Sequence, residues 1–247
     1  MIRGLSLSAA LSVAIGAFIA PASAQNTTAV TAEAMSDEVR RGLSWSGGRA
    51  AAAGDVQISL GPIDASARAV TTRASRRHGG ADGVVDLALG TGWDLGAFRL
   101  RAEAIGHVFA GARGRMDYVE VGASASYGIG PLYSTLGIAV APSQRAIGGS
   151  NVHIYANASA GVPGTPFTIL AGLGHSSGNA RDGTRAQRLR PGGDYLNWRL
   201  GLERRGERLT LGIDYIGTNV SRRDSFGEFA DPRHAGDKLV GRAQVTF

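Results

Sequence analysis

The sequence predicts an all-β protein, a transmembrane antiparallel up-and-down β-barrel of about twelve strands. Segments of about ten residues alternate apolar and polar positions along most of the chain. The connections between these segments alternate between short and long. The final segment, residues 238–247, alternates in the same way and ends on the aromatic Phe247. A membrane barrel, with a lipid-facing surface, a polar interior and two unequal ends, accounts for all three observations.

Residues 1–24 read as a cleaved secretory signal peptide, because Arg3 precedes an apolar stretch at 5–20 and a small-x-small cleavage site ends at Ala24. A single membrane helix is the alternative, but the stretch is short and polar residues follow it. We therefore expect the barrel to occupy residues 25–247. Beyond the signal there is no run of about 18 apolar residues. The chain has no cysteine, so disulfides and thiol chemistry are excluded.

The first segment of the predicted barrel is the hardest to interpret. Met35, Val39, Leu43 and Trp45 could form one apolar face, but Asp37 and Arg41 fall on the same face, and a bulge near Gly42 could reset the phase. Later segments are clearer. Clean alternation occurs at 55–60, 85–93, 98–104, 119–126, 152–159, 196–203 and 238–247, and weaker alternation at 63–72, 132–140, 167–175 and 209–215.

The connections indicate which end of the barrel is which. Short ones lie at 61–62, 94–96, 128–131, 163–166 and 205–207, and long ones at 73–81, 110–116, 142–150, 176–193 and 220–236. Bacterial outer-membrane barrels have short periplasmic turns and longer outer loops. Aromatic residues near both ends fit two interfacial girdles. A secreted β-sandwich also alternates, but gives no reason for this order of loops.

Charged residues fall into two predicted groups, one facing the lumen and one in the long loops. The lumen group has mixed signs and comprises Arg68, Asp86, Arg99, Arg101, Glu103, Glu120, Arg199, Glu203, Asp214 and Arg242. The outer-loop group is basic and comprises Arg76, Arg77, Arg185, Arg188, Arg190, Arg222 and Arg223. Outer arginines could bind lipopolysaccharide phosphates, attract anions to a pore, or simply keep the loops solvated.

No enzyme is predicted. The five histidines have no metal-binding spacing, and no nucleophile motif such as G-x-S-x-G occurs. We therefore predict no catalytic residue, no metal site and no cofactor. Nucleic-acid binding is disfavoured because no basic-aromatic module is present.

Several motifs suggest a family. Residues 36–44 (SDEVRRGLS) resemble the S-D-x-x-x-R-G-x-S opening of the TorF porin family. Residues 117–120 followed by 125–128 resemble its middle segment, and 194–201 (DYLNWRLG) resemble its D-Y-x-x-W-x-L-G strand. The chain differs at Glu38, where an aromatic residue is usual, and in its longer, more basic loops. The resemblance implies an outer-membrane barrel more firmly than it implies any particular solute.

Two functions remain open. The first is a narrow, passive channel for small solutes, with an eyelet that includes Arg99, Arg101, Glu103, Glu120 and Arg199. The alternative is a closed structural or surface-binding barrel whose basic loops bind lipopolysaccharide or a partner. In both cases we expect location in the bacterial outer membrane, and Phe247 is predicted to be the signal that the outer-membrane assembly machinery recognises.

Overall fold

The structure, a computed structural model, describes residues 27–247. In this part of the chain, alternating apolar and polar residues form twelve strands that close into one antiparallel barrel. The predicted fold class is confirmed. The barrel strands are β1 (Thr27–Met35), β4 (Ala51–Leu60), β5 (Ile63–Ser75), β6 (Ala81–Leu95), β7 (Phe98–Ala110), β8 (Tyr118–Ile129), β9 (Leu132–Gln144), β10 (Gly149–Gly161), β11 (Phe167–Ser177), β12 (Tyr195–Arg205), β13 (Leu209–Thr218) and β14 (Lys238–Thr246).

Every barrel strand pairs with its neighbours in sequence, and the barrel closes where β1 meets β14. Met35 lies opposite Arg242, and Thr31 lies opposite Thr246. On its other side β1 pairs with β4 along its whole length. Closure satisfies the backbone hydrogen bonds of every barrel strand, which a strand exposed to lipid cannot leave unpaired.

The outward face of the barrel is apolar. Leu136 is 66% exposed and Leu239 is 68% exposed, and both belong to a belt of outward-facing Val, Ile and Leu side chains. Soluble monomers rarely expose so much contiguous apolar surface, because water disfavours it. The belt therefore fits contact with lipid chains.

One end of the barrel has short turns, and we call it the short-turn end. β4 and β5 are joined by Gly61 and Pro62, and β8 and β9 by Gly130 and Pro131. The connections at 96–97, 162–166 and 206–208 lie at the same end. Gly61 and Gly130 have φ angles of 63° and 54°. Glycine adopts this left-handed conformation without a steric penalty, so it suits the first position of a two-residue hairpin turn.

The opposite end, which we call the long-loop end, carries the other six connections, at residues 36–50, 76–80, 111–117, 145–148, 178–194 and 219–237. Helices occur only as short pieces in these loops of the described chain: α1 (Gly183–Ala186) and three 3-10 turns (Arg76–His78, Arg145–Ile147 and Pro232–His234). No helix within residues 27–247 is long and apolar enough to cross a membrane. The predicted signal peptide, residues 1–24, lies outside the described residues.

The prediction for the first strand is wrong. That strand is β1, and the segment from Val39 to Trp45 does not join the barrel wall. Instead β2 (Val39–Arg40) and β3 (Leu43–Ser44) pair with each other as a separate two-stranded sheet. We call residues 36–50 the inserted hairpin, because its side chains contact strands on several sides of the lumen.

Candidate functional site

The inserted hairpin turns at Arg41 and Gly42, whose φ angles are 51° and 77°. Positive φ at both central residues is the geometry of a two-residue type I′ turn. A side chain at position 42 would collide with Thr218 and Asn197, so only glycine fits against this wall. The turn places two adjacent arginines, Arg40 and Arg41, inside the barrel.

Three ion pairs hold the hairpin to one side of the lumen. Arg41 binds Glu120 of β8 through both carboxylate oxygens, at 2.9 and 2.5 Å. Arg40 contacts Asp86 of β6 at 2.7 Å. Glu38 accepts two hydrogen bonds from Arg68 of β5, at 2.8 and 3.0 Å. Charge-assisted, bidentate contacts of this kind are among the stronger hydrogen bonds in proteins.

Contacts with the opposite wall complete the crossing. The Tyr195 hydroxyl of β12 donates to the Arg41 carbonyl oxygen at 3.0 Å. Lys238 of β14 lies 3.6 Å from the Asp37 carboxylate. Asp37 also accepts hydrogen bonds from Ser44 and Ser46, at 2.5 and 2.8 Å, and these hold the two arms of the hairpin together. The hairpin therefore spans the lumen between β5, β6 and β8 on one side and β12 and β14 on the other.

Above the hairpin, the long loops pack into a buried apolar core. Trp45 of the hairpin lies beside the His78 and Phe109 rings, with centroids 4.3 and 5.7 Å away. Other members come from the loops and the neighbouring strand ends: Met116, Ala146, Ile147, Leu189 and Phe229. We call this core, with the loops that form it, the loop cap.

Two buried arginines connect all six long loops. Arg77 donates to the carbonyl oxygens of Ser44 at 3.1 Å, Arg188 at 2.9 Å and Asp231 at 3.2 Å. Arg188 donates to the carbonyl oxygens of Met116 and Ala146 and to Nδ1 of His78; those distances are 2.6, 3.1 and 3.3 Å. Both arginines are 0% exposed. The acceptors belong to different loops, so the loop cap is held together as one unit.

Burial lowers the pKa of two side chains in the loop cap, His78 and Arg188. Burial, with nearby Arg188 and Arg77, lowers the pKa of His78 well below its ordinary value of 6.5. His78 is therefore neutral, which agrees with its Nδ1 accepting a hydrogen bond from Arg188. Burial also lowers the pKa of Arg188 to about 10, and Arg188 keeps its charge at neutral pH. Its guanidinium lies over the Phe109 ring, 4.4 Å from the centroid.

The prediction of exposed side chains is wrong for three of the outer-loop arginines. Arg77, Arg188 and Arg190 are in long loops, but their side chains are buried and cannot meet lipopolysaccharide. Arg190 donates to the Gly178 carbonyl oxygen and pairs with Asp194. Position in a loop does not imply exposure when the loop folds over the barrel mouth. Arg76, Arg222 and Arg223 are exposed and Arg185 is partly exposed, as expected for basic residues of outer loops.

Below the hairpin, towards the short-turn end, the lumen is lined by ion pairs. Arg101 pairs with Asp64 and Glu103. Arg199 and Arg242 share the Asp214 carboxylate, at 2.8 and 3.1 Å. Glu203 pairs with Arg242 and with Arg205. Positive and negative groups alternate closely here, so much of the charge is neutralised locally.

The predicted eyelet does not form a single ring. Glu103, Glu120 and Arg199 line one cavity of about 390 Å³, but Arg99 and Arg101 do not. Arg99 pairs with Asp94, and the side chains of the two residues are 58% and 74% exposed at the short-turn end. A second cavity, of about 430 Å³, lies on the other side of the hairpin. Its lining includes five of the predicted lumen residues: Arg68, Asp86, Arg199, Asp214 and Arg242.

The element inside the lumen that the sequence analysis did not predict is the inserted hairpin. It supplies Glu38, Arg40 and Arg41 as partners for wall residues that the alternation had already placed in the lumen. A signal existed in the sequence, because Arg41-Gly42 lies between short segments that could pair as a hairpin. The same glycine also fits a bulge in a barrel strand, which is why the alternation alone does not distinguish the two.

Two histidines make side-chain contacts in the lumen. His107 Nδ1 lies 2.7 Å from Asp86, and His153 Nδ1 lies 3.0 Å from the Ser176 hydroxyl. His153 and Ser176 are both buried, and His153 also lines the cavity of about 390 Å³. Within residues 27–247 no group of three or more His, Cys, Asp or Glu residues could hold a metal ion.

A family of sequences described as "Bacterial protein of unknown function (Gcw_chp)" matches residues 19–241. The chain belongs to the Gcw_chp family. The match begins before β1, includes the inserted hairpin and ends within β14. It does not confirm the resemblance to the TorF porin family, which stays a prediction. No curated protein matches the chain in sequence.

Solved structures with the same fold are outer-membrane barrels. The KdgM porin is similar with a TM-score of 0.58 and 6% sequence identity, over 90% of this chain and 99% of that one. The COG4313 outer membrane channel from Pseudomonas putida F1 is similar with a TM-score of 0.52 and 13% identity, over 90% of this chain and 95% of that one. These similarities show that the fold of this Gcw_chp member is a porin-like outer-membrane barrel.

Proposed function

We propose that the protein is a porin-like channel of the bacterial outer membrane, through which small solutes diffuse passively along a narrow lumen of mixed charge. The observation that carries the proposal is the pair of cavities flanking the inserted hairpin. They share Val39, Arg199 and Ile216 in their linings, so the two cavities lie next to each other and are separated by these side chains. Loop lengths favour the short-turn end in the periplasm and the long-loop end outside.

The hairpin then sets both the width and the charge of the path. Where it crosses the lumen, three arginines, Arg40, Arg41 and Arg68, face three carboxylates, Glu38, Asp86 and Glu120. Opposite charges in equal number give little net field along the path. We therefore expect a low conductance with weak preference for either cations or anions. Uncharged or zwitterionic small solutes fit such a path best.

A closed barrel is the second candidate function, because the loop cap is continuous and buried. Arg77 and Arg188 tie all six long loops over the barrel mouth. In a channel, this cap must open or leave a side passage for solute. A barrel whose cap stays shut would serve as a structural or surface-binding protein of the outer membrane.

Single-channel recording in a planar lipid bilayer distinguishes these two functions. Purified protein should give small, discrete conductance steps, with a reversal potential near zero in a salt gradient. A variant with Arg222→Gln and Arg223→Gln is the matched control, since both side chains are exposed on one loop and away from the lumen. The control should conduct like the parent. Absence of steps, in protein whose gel mobility shifts on boiling as barrels do, favours the closed barrel.

Export and assembly are part of the same proposal. Cleavage after Ala24 would release the barrel, and mass spectrometry of the mature protein tests this directly. Phe247 lies on the outward face, 75% exposed, with its backbone N–H bonded to the Val30 carbonyl oxygen at 3.0 Å. If Phe247 is recognised by the assembly machinery, Phe247→Asp should lower the assembled fraction in cells. Refolding of the same variant in detergent should remain efficient.

A further inference from the structure

A basic pocket, separate from the lumen, lies at the rim of the long-loop end. Its volume is about 670 Å³, and we call it the rim pocket. Four arginines line it, and Asp182 is the one carboxylate among its lining residues, so three positive charges remain in excess. The arginines are Arg115, Arg145, Arg181 and Arg185.

Three neighbouring loops bring these arginines together. Arg115 follows β7, Arg145 follows β9, and Arg181 and Arg185 follow β11. The backbone N–H groups of Arg181 and Asp182 both donate to the Gly148 carbonyl oxygen, at 2.8 and 2.9 Å. The arrangement is therefore fixed by the backbone and does not depend on flexible side chains alone.

Arg185 is already oriented towards the pocket. Its Nη1 donates to the Arg115 carbonyl oxygen at 3.1 Å, its Nε lies 3.7 Å from Asp182, and its guanidinium lies 5.6 Å from the centre of the Phe229 ring. Arg115, Arg145 and Arg181 are exposed, and among residues 27–247 they make no ion pair. Three unpaired guanidinium groups beside one oriented group form a site that favours a multiply charged anion.

The rim pocket lies beside the upper edge of the apolar belt. Gln144 lines it, at a point where a bulge in β9 pairs Gln144 with Gly149 of β10. The Gln144 side chain also bonds the backbone of Val119 at both its N–H and its carbonyl oxygen, at 2.9 Å each, and Val119 is 51% exposed on the apolar belt. A ligand in this pocket would therefore sit at the upper edge of the membrane-facing surface.

We infer that the rim pocket binds the phosphate groups of a phosphorylated glycolipid in the outer leaflet, with Arg115, Arg145, Arg181 and Arg185 as the phosphate ligands. The inference uses the proposed outer-membrane location but not channel activity. The buried Arg77, Arg188 and Arg190 take no part in this site. The exposed Arg115, Arg145 and Arg181 lie in it beside Arg185. Because planar guanidinium groups match two phosphate oxygens at once, the site favours phosphate over a single carboxylate.

Binding measurements on the whole protein in detergent test the inference. The probes are lipid A with its phosphates, lipid A from which the phosphates have been removed, and inositol hexakisphosphate as a lipid-free polyphosphate. The pocket variant carries Arg115→Gln, Arg145→Gln and Arg181→Gln. The control variant carries Arg222→Gln, Arg223→Gln and Arg233→Gln, which removes the same charge from exposed positions on another long loop. A heat-dependent gel shift confirms that each variant is folded.

Phosphorylated lipid A should bind the parent and the control variant with similar affinity. The pocket variant should bind it at least about tenfold more weakly, since charge-assisted hydrogen bonds are lost. Dephosphorylated lipid A should bind all three proteins equally weakly. Equal weakening in the pocket and control variants, or binding that ignores the phosphates, would overturn the inference. Inositol hexakisphosphate binding as tightly as lipid A would overturn the assignment to a lipid.

Discussion

The two halves of the barrel interior use arginine in different ways. In the loop cap, Arg77 and Arg188 are buried, form no ion pair within residues 27–247, and donate mainly to backbone carbonyl oxygens of the long loops. Nearer the short-turn end, arginines such as Arg101 and Arg199 pair with carboxylates on the strands. The first arrangement joins separate segments into one unit. The second lines a polar space with locally balanced charge.

This difference predicts different responses to mutation. A buried carbonyl oxygen that loses its donor has no water to replace it, and each such loss costs about 1–3 kcal/mol. A lumen carboxylate that loses one arginine often keeps another partner or gains water. The loop cap should therefore respond strongly to single substitutions, and the lower lumen weakly.

The largest effect is expected for Arg188→Met. The change leaves the Met116 and Ala146 carbonyl oxygens without their donor, so the free energy that keeps the loop cap closed should fall by about 2–4 kcal/mol. Hydrogen exchange should accelerate in residues 111–117 and 145–148, while the barrel strands stay protected.

Arg199→Met is the matched control in the other half of the interior. Asp214 retains Arg242 as a partner at 3.1 Å, so the loss should be about 1 kcal/mol or less. Equal acceleration of exchange in the loops of both variants would contradict the distinction between the two halves.

The inserted hairpin lies between the loop cap and the lumen nearer the short-turn end. Substitutions in its ion pairs test whether the charges along the path are balanced. Arg41→Gln removes one positive charge beside Glu120 and should make the path cation-selective, whereas Glu120→Gln should make it anion-selective. We expect permeability ratios to change a few-fold in opposite directions, as reversal potentials in a salt gradient would show. The double variant should return to weak selectivity. Shifts in the same direction would mean that this pair does not face the path.

The pH dependence of the loop cap follows from His78. Its pKa is lowered in the folded protein, so it contributes stability above its ordinary pKa of 6.5 that is lost as pH falls below that value. The loss is at most about 1.4 kcal/mol per pH unit. Protection factors of the loop amides, which are exchange rates corrected for the intrinsic effect of pH, should therefore fall between pH 6.5 and 5. His78→Asn, whose amide oxygen can accept from Arg188, should flatten this dependence, and an unchanged slope would implicate another group.

The smallest effect is expected for Arg99→Gln. Arg99 and Asp94 form an exposed pair at the short-turn end, and pairs of this kind contribute about 0–1 kcal/mol. Conductance and thermal stability should match those of the parent. A large fall in conductance would show that the narrowest point lies at this rim and not at the hairpin.

The sequence predicted the barrel because its determinants are local. Alternation in 238–247 placed Arg242 in the lumen, and the structure pairs it with Glu203 and Asp214. The order of short and long connections likewise predicted neighbouring strands correctly. Such features depend on residues that are close in the chain, and a two-residue period is readable without knowledge of the fold.

The loop cap could not be predicted, because its contacts join residues that are distant in sequence. Arg77 donates to the carbonyl oxygen of Arg188, more than a hundred positions away in sequence. An arginine in a polar loop has the same sequence signature whether it is exposed, as Arg76 is, or buried, as Arg77 is. The inserted hairpin has a local turn signal at Arg41-Gly42, but its apolar residues Val39, Leu43 and Trp45 imitate a barrel strand.

The central claim is that the inserted hairpin is the constriction of an open lumen. The most direct measurement is the single-channel conductance of a variant in which residues 37–49 are replaced by a four-residue Gly-Ser linker. Met35 and Ala51 are paired in adjacent strands, so a short linker can close this gap. The account predicts small steps for the parent and conductance several-fold larger for the variant. Equal conductance, or none in either protein when both are folded, would contradict it.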